Sequence, residues 1–153
     1  MEIHILTTNP MIELNKRLQQ RHSKFNGFLH ELNDKNIPSE IAKTINGHLG
    51  ELNSFSGSGS GYSRLLRKKQ WKIVSLLEKE LKIVPKNYYR NLWMILGMTA
   101  FGIPMGIALG LSLQKMGLMG IGFPFGMAIG IAIGSALDKK AKEKGKQLDF
   151  EMS

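Results

Sequence analysis

Two apolar stretches decide the fold of this chain: FGIPMGIALGLSL at residues 101–113 and IGFPFGMAIGIAI at residues 121–133. A shift of twenty residues overlays their glycines and prolines, as in Gly102 on Gly122. Glycine and proline weaken a helix in water, and they also weaken a strand. Their regular recurrence therefore indicates that small residues serve a packing purpose in another environment.

The charges leave two long neutral runs around these stretches. Residues 91–114 and residues 116–137 contain no Asp, Glu, His, Lys or Arg, and Lys115 alone separates them. About 20 apolar residues form a helix that spans the ~30 Å hydrocarbon core of a bilayer. The runs therefore predict two transmembrane helices joined by a very short turn. Two strands are rejected, because a lone hairpin in lipid leaves its strand edges unpaired.

Lysine and arginine flank the outer ends of both runs, whereas the connecting turn holds only Lys115. The positive-inside rule then places both termini in the cytoplasm. Tyr88, Tyr89 and Trp93 lie where an interfacial aromatic belt is expected. We therefore expect a two-pass protein of the bacterial cytoplasmic (inner) membrane. The flanking charges are Lys72, Lys79, Lys82, Lys86 and Arg90 before the runs and Lys139, Lys140, Lys142, Lys144 and Lys146 after them.

Small residues recur every fourth position in both runs. Such spacing lets helix backbones approach closely in a membrane, where right-handed crossings near −40° are typical. A second small stripe lies two residues away, about 200° around each helix. The first stripe is Gly102, Gly106 and Gly110 with Gly122, Gly126, Gly130 and Gly134. The second stripe is Ala100, Pro104, Ala108 and Ser112 with Gly120, Pro124, Ala128, Ala132 and Ala136.

Two opposed small faces predict two tight contacts. One face closes the hairpin, and the other meets another copy, so we expect a homo-oligomer. The alternative is a monomeric hairpin whose second face meets lipid. Pro104 and Pro124 are each expected to remove one backbone hydrogen bond and to kink their helix at similar depth.

The part before the membrane is predicted to be helical. Residues 9–34 have apolar residues at three- and four-residue spacing, with Asn9 as a cap and Pro10 in the first turn. A second helix is expected from about residue 38 to residue 53, with either His48 or Leu49 on its apolar face. This helical hairpin offers a site for an unidentified protein partner through residues 9–53. Residues 1–8 form an edge strand or an ordered tail.

SFSGSGSG at residues 54–61 predicts a flexible linker. A phosphate-binding loop is the alternative, but the GK[ST] element is missing. A third helix is expected at residues 62–84, where Pro85 ends or kinks it.

Basic residues crowd the first half of this third helix. A solvated face that sets topology, binding of anionic lipid headgroups and binding of nucleic acid are the three interpretations. Headgroup attraction is worth ~1 kcal/mol per cation, and Trp71 suits an interfacial helix. No nucleic-acid motif accompanies the cluster, so nucleic acid is not expected. The cluster is Arg64, Arg67, Lys68, Lys69 and Lys72.

The sequence contains no recognisable catalytic motif. The formal net charge is +9 and cysteine is absent, which excludes disulfides, thiolate metal sites and cysteine nucleophiles. His22 and His30 lie too far apart on their helix to share a metal without further ligands, and His22 and Glu31, which is next to His30, are interpreted as solvated polar positions. The neutral runs argue against a proton relay, and MEIHILTTNP does not have the form of a signal peptide. We expect no enzyme activity, no cofactor and no metal.

The GxxxGxxxG runs at Gly102 to Gly110 and at Gly122 to Gly134 resemble the glycine-zipper segments of small bacterial membrane proteins. KNYYRNLW and DKKAKEKGKQLD are similar to segments of uncharacterised two-span bacterial proteins of this kind. The resemblance covers residues ~85–148 and implies close helix packing and frequent self-assembly. It implies no reaction.

The resulting prediction is an all-α membrane protein that self-assembles through its glycine-zipper helices. A channel-like or membrane-perturbing effector controlled by the cytoplasmic helices is one form of it. A membrane anchor or adaptor that tethers a helical interaction domain is the alternative. The predicted parts are a helical hairpin (1–53), a linker (54–61), a basic juxtamembrane helix (62–90), a transmembrane hairpin (91–137) and a basic tail (138–153).

Overall fold

The computed structural model describes residues 2–8, 12, 15–114 and 120–151. The described residues are mostly helical, so the predicted all-α class is confirmed. The chain divides into two compact units. The first comprises the residues up to Val84 together with residues 148–151, and the second comprises residues 85–147.

The first unit contains three helices: α1 (Lys16–Asn33), α2 (Ser39–Asn53) and α3 (Gly59–Leu81). The Asn15 side chain caps α1 by accepting hydrogen bonds from the backbone N–H groups of Arg17 and Leu18. Asn is a favoured residue at this position because its oxygen satisfies an N–H that the helix leaves unpaired. Helix α1 therefore begins at Lys16, later than the predicted start at residue 9, and the expected cap Asn9 and the expected first-turn Pro10 lie outside the described residues.

Large apolar side chains fill the first unit. The predicted α1 stripe is buried at Leu18, Phe25, Phe28 and Leu32, and Leu49 rather than His48 takes the core position on α2. Phe150 also belongs to this core, with its ring centroid 4.8 Å from that of Phe28. Burying each such side chain stabilises the fold by about 1.5–3 kcal/mol. Other fully buried members are Leu29, Ile45, Leu52, Leu66, Ile73 and Leu77.

The last three residues of the predicted linker, 59–61, form the start of a helix. Helix α3 begins at Gly59, where the Ser58 hydroxyl accepts a hydrogen bond from the Gly61 N–H at 3.2 Å. The Phe55 ring lies over this turn, 6.0 Å from the Tyr62 ring. A Cβ added to Gly61 would lie 3.1 Å from the Phe55 ring, so the small residue makes room for this aromatic contact. Helix α3 ends at Leu81, before the predicted stop at Pro85.

The second unit is a helix pair. The first partner runs through α4 (Tyr88–Gly97), the π-helix π1 (Met98–Gly102) and α5 (Ile103–Ser112). The second partner is α6 (Gly122–Glu143), which continues past the predicted end at residue 137 into the predicted basic tail. The strands β1 (Val84–Pro85) and β2 (Gln147–Leu148) pair with each other. The predicted turn at Lys115 lies outside the described residues.

Among the described residues, one helix is long and apolar enough to cross a bilayer, by length and composition: Tyr88–Ser112. The described apolar part of α6 is shorter, because Asp138 and Lys139 follow residue 137. The structure thus supplies one candidate span where the sequence predicted two.

The two prolines have different surroundings. Pro104 is the second residue of α5, and only Ile103 separates it from π1. Pro124 is the third residue of α6. A helical turn at residues 120–121 precedes α6, and the kink at Pro124 stays a prediction.

Candidate functional site: the glycine-lined helix pair

Glycine forms the interior of the helix pair. Between residues 88 and 137, every buried residue that the structure describes is a glycine. Three of the four on the first partner and all four on the second were singled out from the sequence. The buried glycines are Gly97, Gly102, Gly106, Gly110, Gly122, Gly126, Gly130 and Gly134.

The two backbones touch at these glycines. A Cβ added to Gly126 would lie 2.6 Å from the backbone nitrogen of Gly102, and one added to Gly134 would lie 2.5 Å from the Cα of Arg90. Real Cβ atoms do not approach backbone atoms that closely, so any larger residue would push the helices apart. Close backbone approach is the way small residues associate helices where lipid removes the hydrophobic drive.

A single π-helix turn brings Gly97 into this face. Gly97 precedes Gly102 by five residues, which in a regular α-helix would put it about 140° away from the glycine face. In π1 the Ile103 N–H bonds to the Met98 carbonyl, an i→i−5 bond that absorbs one extra residue. A Cβ on Gly97 would then lie 2.9 Å from the Cα of Gly130. The search for small residues at every fourth position missed Gly97 because it assumes a uniform α-helix.

Side-chain hydrogen bonds support the π-helix turn. The Thr99 hydroxyl lies 3.1 Å from the carbonyl oxygens of Ile95 and Leu96. A hydroxyl that bonds to carbonyls of the preceding turn is known to bend helices and to satisfy backbone groups. Pro104, which has no N–H, follows within the next turn. The sequence predicted an irregularity at Pro104, and the structure has π1 immediately before it.

The large apolar side chains point away from the glycine interior. Leu111 is 66% exposed and Phe125 is 57% exposed. Soluble monomers rarely expose a contiguous apolar surface of more than a few hundred Å². The remaining exposed members are Ile95, Leu96, Phe101, Ile103, Met105, Ile107, Leu113, Ile121, Phe123, Ile129, Ile131 and Ile133.

The second small stripe is exposed. Its members on both partners lie outside the glycine interior, including Ala100, Ala108, Ala128 and Ala132. The two predicted small faces are therefore used differently within one chain. The glycine face closes the helix pair, and the second stripe of each helix, called its alanine face below, remains accessible on the outer side.

A carboxylate on α6 caps the start of α4. Asp138 is only 7% exposed, and its two oxygens accept hydrogen bonds from the N–H groups of Tyr89 (3.1 Å) and Arg90 (2.9 Å). The Asn87 side chain does not cap this helix. A negative charge at a helix N-terminus is favoured by both the unpaired N–H groups and the helix dipole. Sequence reasoning missed Asp138, although it is the first charged residue after the second neutral run.

The basic cluster on α3 is divided. Arg64, Arg67, Lys68 and Lys72 are exposed, as the headgroup interpretation requires. Lys69 is 5% exposed, and its ammonium group pairs with the Glu51 carboxylate and lies 3.3 Å from Nδ1 of His48. Hydrogen bonding and the positive charge of Lys69 lower the pKa of the Glu51 carboxyl. Lys69 is thus part of the α2–α3 packing rather than of the exposed basic face.

The histidines do not assemble into a metal site in the described part of the chain. No group of three or more His, Cys, Asp and Glu side chains with metal-binding proximity occurs there. His30 is exposed, but His22 is buried, contrary to the prediction that it is solvated. Desolvation lowers the pKa of His22 below its usual 6.5, and a hydrogen bond with the Thr7 backbone acts in the opposite direction. Burial therefore favours the neutral imidazole.

Comparison with protein-family models, with curated proteins and with solved structures finds no significant match to this chain. Function therefore has to be inferred from the geometry. The helix pair offers tight backbone packing, an outer apolar surface and an accessible small-residue face. These features are suited to lipid contact and to helix association.

Proposed function

We propose that this chain is a non-enzymatic, two-span protein of the bacterial inner membrane that self-assembles through its transmembrane helix pair. The inside-out arrangement of the second unit carries the proposal. Its interior is glycine, and its large side chains, such as Phe101 and Phe125, face outward. Such a surface is unfavourable in water but matches the acyl chains of a bilayer.

The second span rests on α6. In the sequence, residues 116–119 precede it and complete the predicted span 116–137, and from Gly122 to Gly134 its backbone packs against the candidate span. A partner packed this closely to a spanning helix needs the same environment, because its own outward residues, such as Ile129 and Ile133, are equally exposed. The cations that flank both helices favour a cytoplasmic location for both ends.

Self-assembly is proposed to use the alanine faces, which lie on opposite outer sides of the helix pair: Ala100 and Ala108 on the first partner, and Ala128 and Ala132 on the second. The glycine faces are occupied within the chain, so a second copy has an alanine face available for close backbone contact. A channel-like or membrane-perturbing activity controlled by the first unit is the specific form we propose. A hydrophobic constriction is the gating mode that a largely apolar assembly supports.

A membrane anchor or adaptor is the second candidate function. It is favoured by the first unit, which has a core of its own and an exposed basic face at Arg64, Arg67, Lys68 and Lys72. In that case the helix pair only tethers the first unit, and anionic lipid headgroups hold α3 near the surface.

Membrane insertion is tested by extraction and labelling. The chain contains no cysteine, so single cysteines at Ser112 and Lys140 report topology without background. We expect the protein to resist alkaline carbonate extraction. We also expect an impermeant maleimide to label the Ser112 variant from the periplasmic side and the Lys140 variant only after permeabilisation. Extraction into the soluble fraction would contradict the proposal.

Assembly is tested by light scattering in mild detergent. The double variant Ala128→Leu, Ala132→Leu should reduce the oligomer to single chains, whereas the volume-neutral control Ile129→Leu should retain it. A monomeric parent protein would refute self-assembly and leave the anchor function. Dye release from liposomes separates the two candidates, since an anchor leaves the vesicles intact.

A further inference from the structure

An extended segment at residues 2–7 is held by side-chain amides. Asn33 on α1 accepts a hydrogen bond from the Ile3 N–H (2.8 Å) and donates one to the Ile3 carbonyl (3.0 Å). Asn26, one heptad earlier, does the same for Leu6, at 2.9 Å and 3.1 Å. One helix therefore contacts both polar backbone groups of every third residue of the segment.

Helix α2 supplies a matching pair from the other side. Asn46 accepts from the His4 N–H (2.8 Å) and donates to the Glu2 carbonyl (2.9 Å). Asn53 accepts from the Thr7 N–H (3.0 Å) and donates to the Ile5 carbonyl (3.3 Å). The four amides thus satisfy eight backbone groups of the segment.

The spacing of the asparagines along each helix matches the spacing of the residues that they contact along the extended segment. Seven residues of an α-helix rise by about 10.5 Å, and three residues of extended chain cover about 9–10 Å. An asparagine one heptad along each helix therefore meets the segment three residues along. Ile3 and Leu6, which are also three residues apart, are 1% and 3% exposed. The groove consequently has a period of three residues, with one backbone clamp and one apolar pocket per period.

The chemistry of the carboxamide explains the choice of asparagine. An amide donates and accepts at once, so it pairs with a peptide N–H and a neighbouring C=O, as another backbone would. Aspartate offers only acceptors, and leucine offers neither. Hydrogen bonds to the backbone bind any extended sequence, while pockets for particular side chains provide selectivity. Here the pockets select branched aliphatic residues at two positions three residues apart.

We propose that the groove between α1 and α2 is a binding site for an extended peptide, and that it takes residues 2–7 of a second copy as well as those of its own chain. The complementarity on which this rests is shown for this segment: Ile3 and Leu6 fill the pockets and the four asparagines pair with its backbone. A second copy presents the same groups, so exchange leaves every contact unchanged. What favours the chain's own segment is effective concentration, ~mM for a short connection.

This inference is independent of the membrane proposal, because it concerns only the first unit. Exchange of segments would link the first units of neighbouring copies, as in domain swapping. It would do so whether or not the helix pair associates. Failure of the groove to bind peptide therefore leaves the proposed membrane function untouched.

The first experiment measures binding of a labelled synthetic peptide, EIHILT, to full-length protein in detergent by fluorescence anisotropy. A segment variant, Ile3→Asp with Leu6→Asp, vacates the pockets but leaves the asparagines in place. We expect it to bind the peptide at least roughly tenfold more tightly than the parent chain, whose own segment competes. The control peptide EDHIDT should not bind, and the groove variant Asn26→Leu with Asn33→Leu should lose binding.

No binding of EIHILT to a segment variant that retains its helical circular dichroism would overturn the proposal. If the aspartates unfold the helices, the parent chain decides the matter. The labelled peptide in excess should then enter the parent chain slowly, at the rate at which its own segment leaves. Absence of incorporation into the parent would equally overturn the proposal.

The second experiment tests exchange between copies. The segment variant has a vacant groove, and the groove variant has an intact segment, so their mixture should form a complex through the first unit and raise the melting temperature of the segment variant. A chain that carries all four substitutions lacks both the segment and the groove, so the complex formation that it shows is the baseline contributed by the helix pair alone. Mixtures that do not exceed this baseline would contradict binding of a second copy.

Discussion

The two units of this protein are packed in opposite ways. The first unit buries large apolar side chains such as Phe25, Phe28 and Leu32, whereas the second buries glycine and exposes Phe101 and Phe125. In water, removal of apolar surface drives folding, so large apolar side chains in the core stabilise the fold. In lipid that drive is absent, and close backbone contact takes its place. The contrast supports the proposal that the second unit lies in lipid.

The largest expected effect comes from emptying the first core. Phe28→Ala removes a ring that is 1% exposed and contacts Phe25 and Phe150, so we expect a loss of about 3–5 kcal/mol in the free energy of unfolding. Denaturant unfolding followed by circular dichroism measures it. The opposite deletion in the second unit, Phe125→Ala, should cost far less because that side chain is exposed. Equal losses would contradict the comparison.

Filling the glycine interior is the corresponding change in the second unit. Gly126→Ala places a Cβ against the backbone of the facing helix, and overpacking of this kind costs about 1–3 kcal/mol. Gly120→Ala is the matched control, since an added Cβ there meets nothing within 4 Å. Thermal unfolding in detergent should separate the two variants. A neutral Gly126→Ala would show that the helices are not in backbone contact.

Removing the cap between helices should have a moderate effect. Asp138→Ala leaves the N–H groups of Tyr89 and Arg90 without their acceptor, and loss of a cap costs about 0.5–2 kcal/mol. Asp138→Asn retains an acceptor but removes the charge, so it should fall between the parent and Asp138→Ala. Hydrogen exchange at Tyr89 and Arg90 reports the local effect, and unchanged protection in Asp138→Ala would rule out the cap.

The same glycine substitution should have the opposite sign in the first unit. Gly47 lies within α2, and an added Cβ there meets nothing within 4 Å. Gly47→Ala should therefore stabilise the unit by about 0.5–1 kcal/mol through its higher helix propensity. Denaturant midpoints of Gly47→Ala and Gly126→Ala, compared with the parent, test the sign directly. Destabilisation by both would remove the distinction between the units.

The smallest expected effect is a dependence on pH. Burial lowers the pKa of His22 below 6.5, so the unfolded chain binds a proton more readily than the folded one. Stability is then full above pH 6.5 and falls as the pH drops below 6.5 towards the lower native pKa. His22→Gln should flatten this part of the pH profile, whereas the exposed control His30→Gln should retain it. A parent profile that is flat below pH 6.5 would contradict the burial of a neutral imidazole.

Sequence periodicity predicted the buried helix faces best where a residue type has a single structural role. The apolar stripe at Leu18, Phe25, Phe28 and Leu32 and the four-residue glycine repeats depend only on helix geometry, and both faces are buried. The start of α3 at Gly59 was missed because glycine and serine also occur in linkers. The contact between the Phe55 and Tyr62 rings, which orders the turn, does not follow from a sequence pattern. Lys69 and His22 were interpreted as solvated because their partners and neighbours lie on other elements.

The four asparagines illustrate the same limit. Asn26 and Asn33, like Asn46 and Asn53, are seven residues apart, a signal that was available without a structure. Two asparagines seven residues apart are compatible with any polar helix face. Their role became clear only from the extended segment that both helices bind. The signal could have been found by searching for polar residues that share a helical period.

The sequence by itself determined the helical class, the buried faces and the two neutral runs, because these follow from the helical period and from the placement of charge. Only the tertiary structure decided which small face closes the helix pair, that π1 brings Gly97 onto it, and that Asp138 caps α4. The physical reason is that local periodicity specifies which side chains share a face. The identity of the group opposite that face depends on contacts between residues that are distant in the chain.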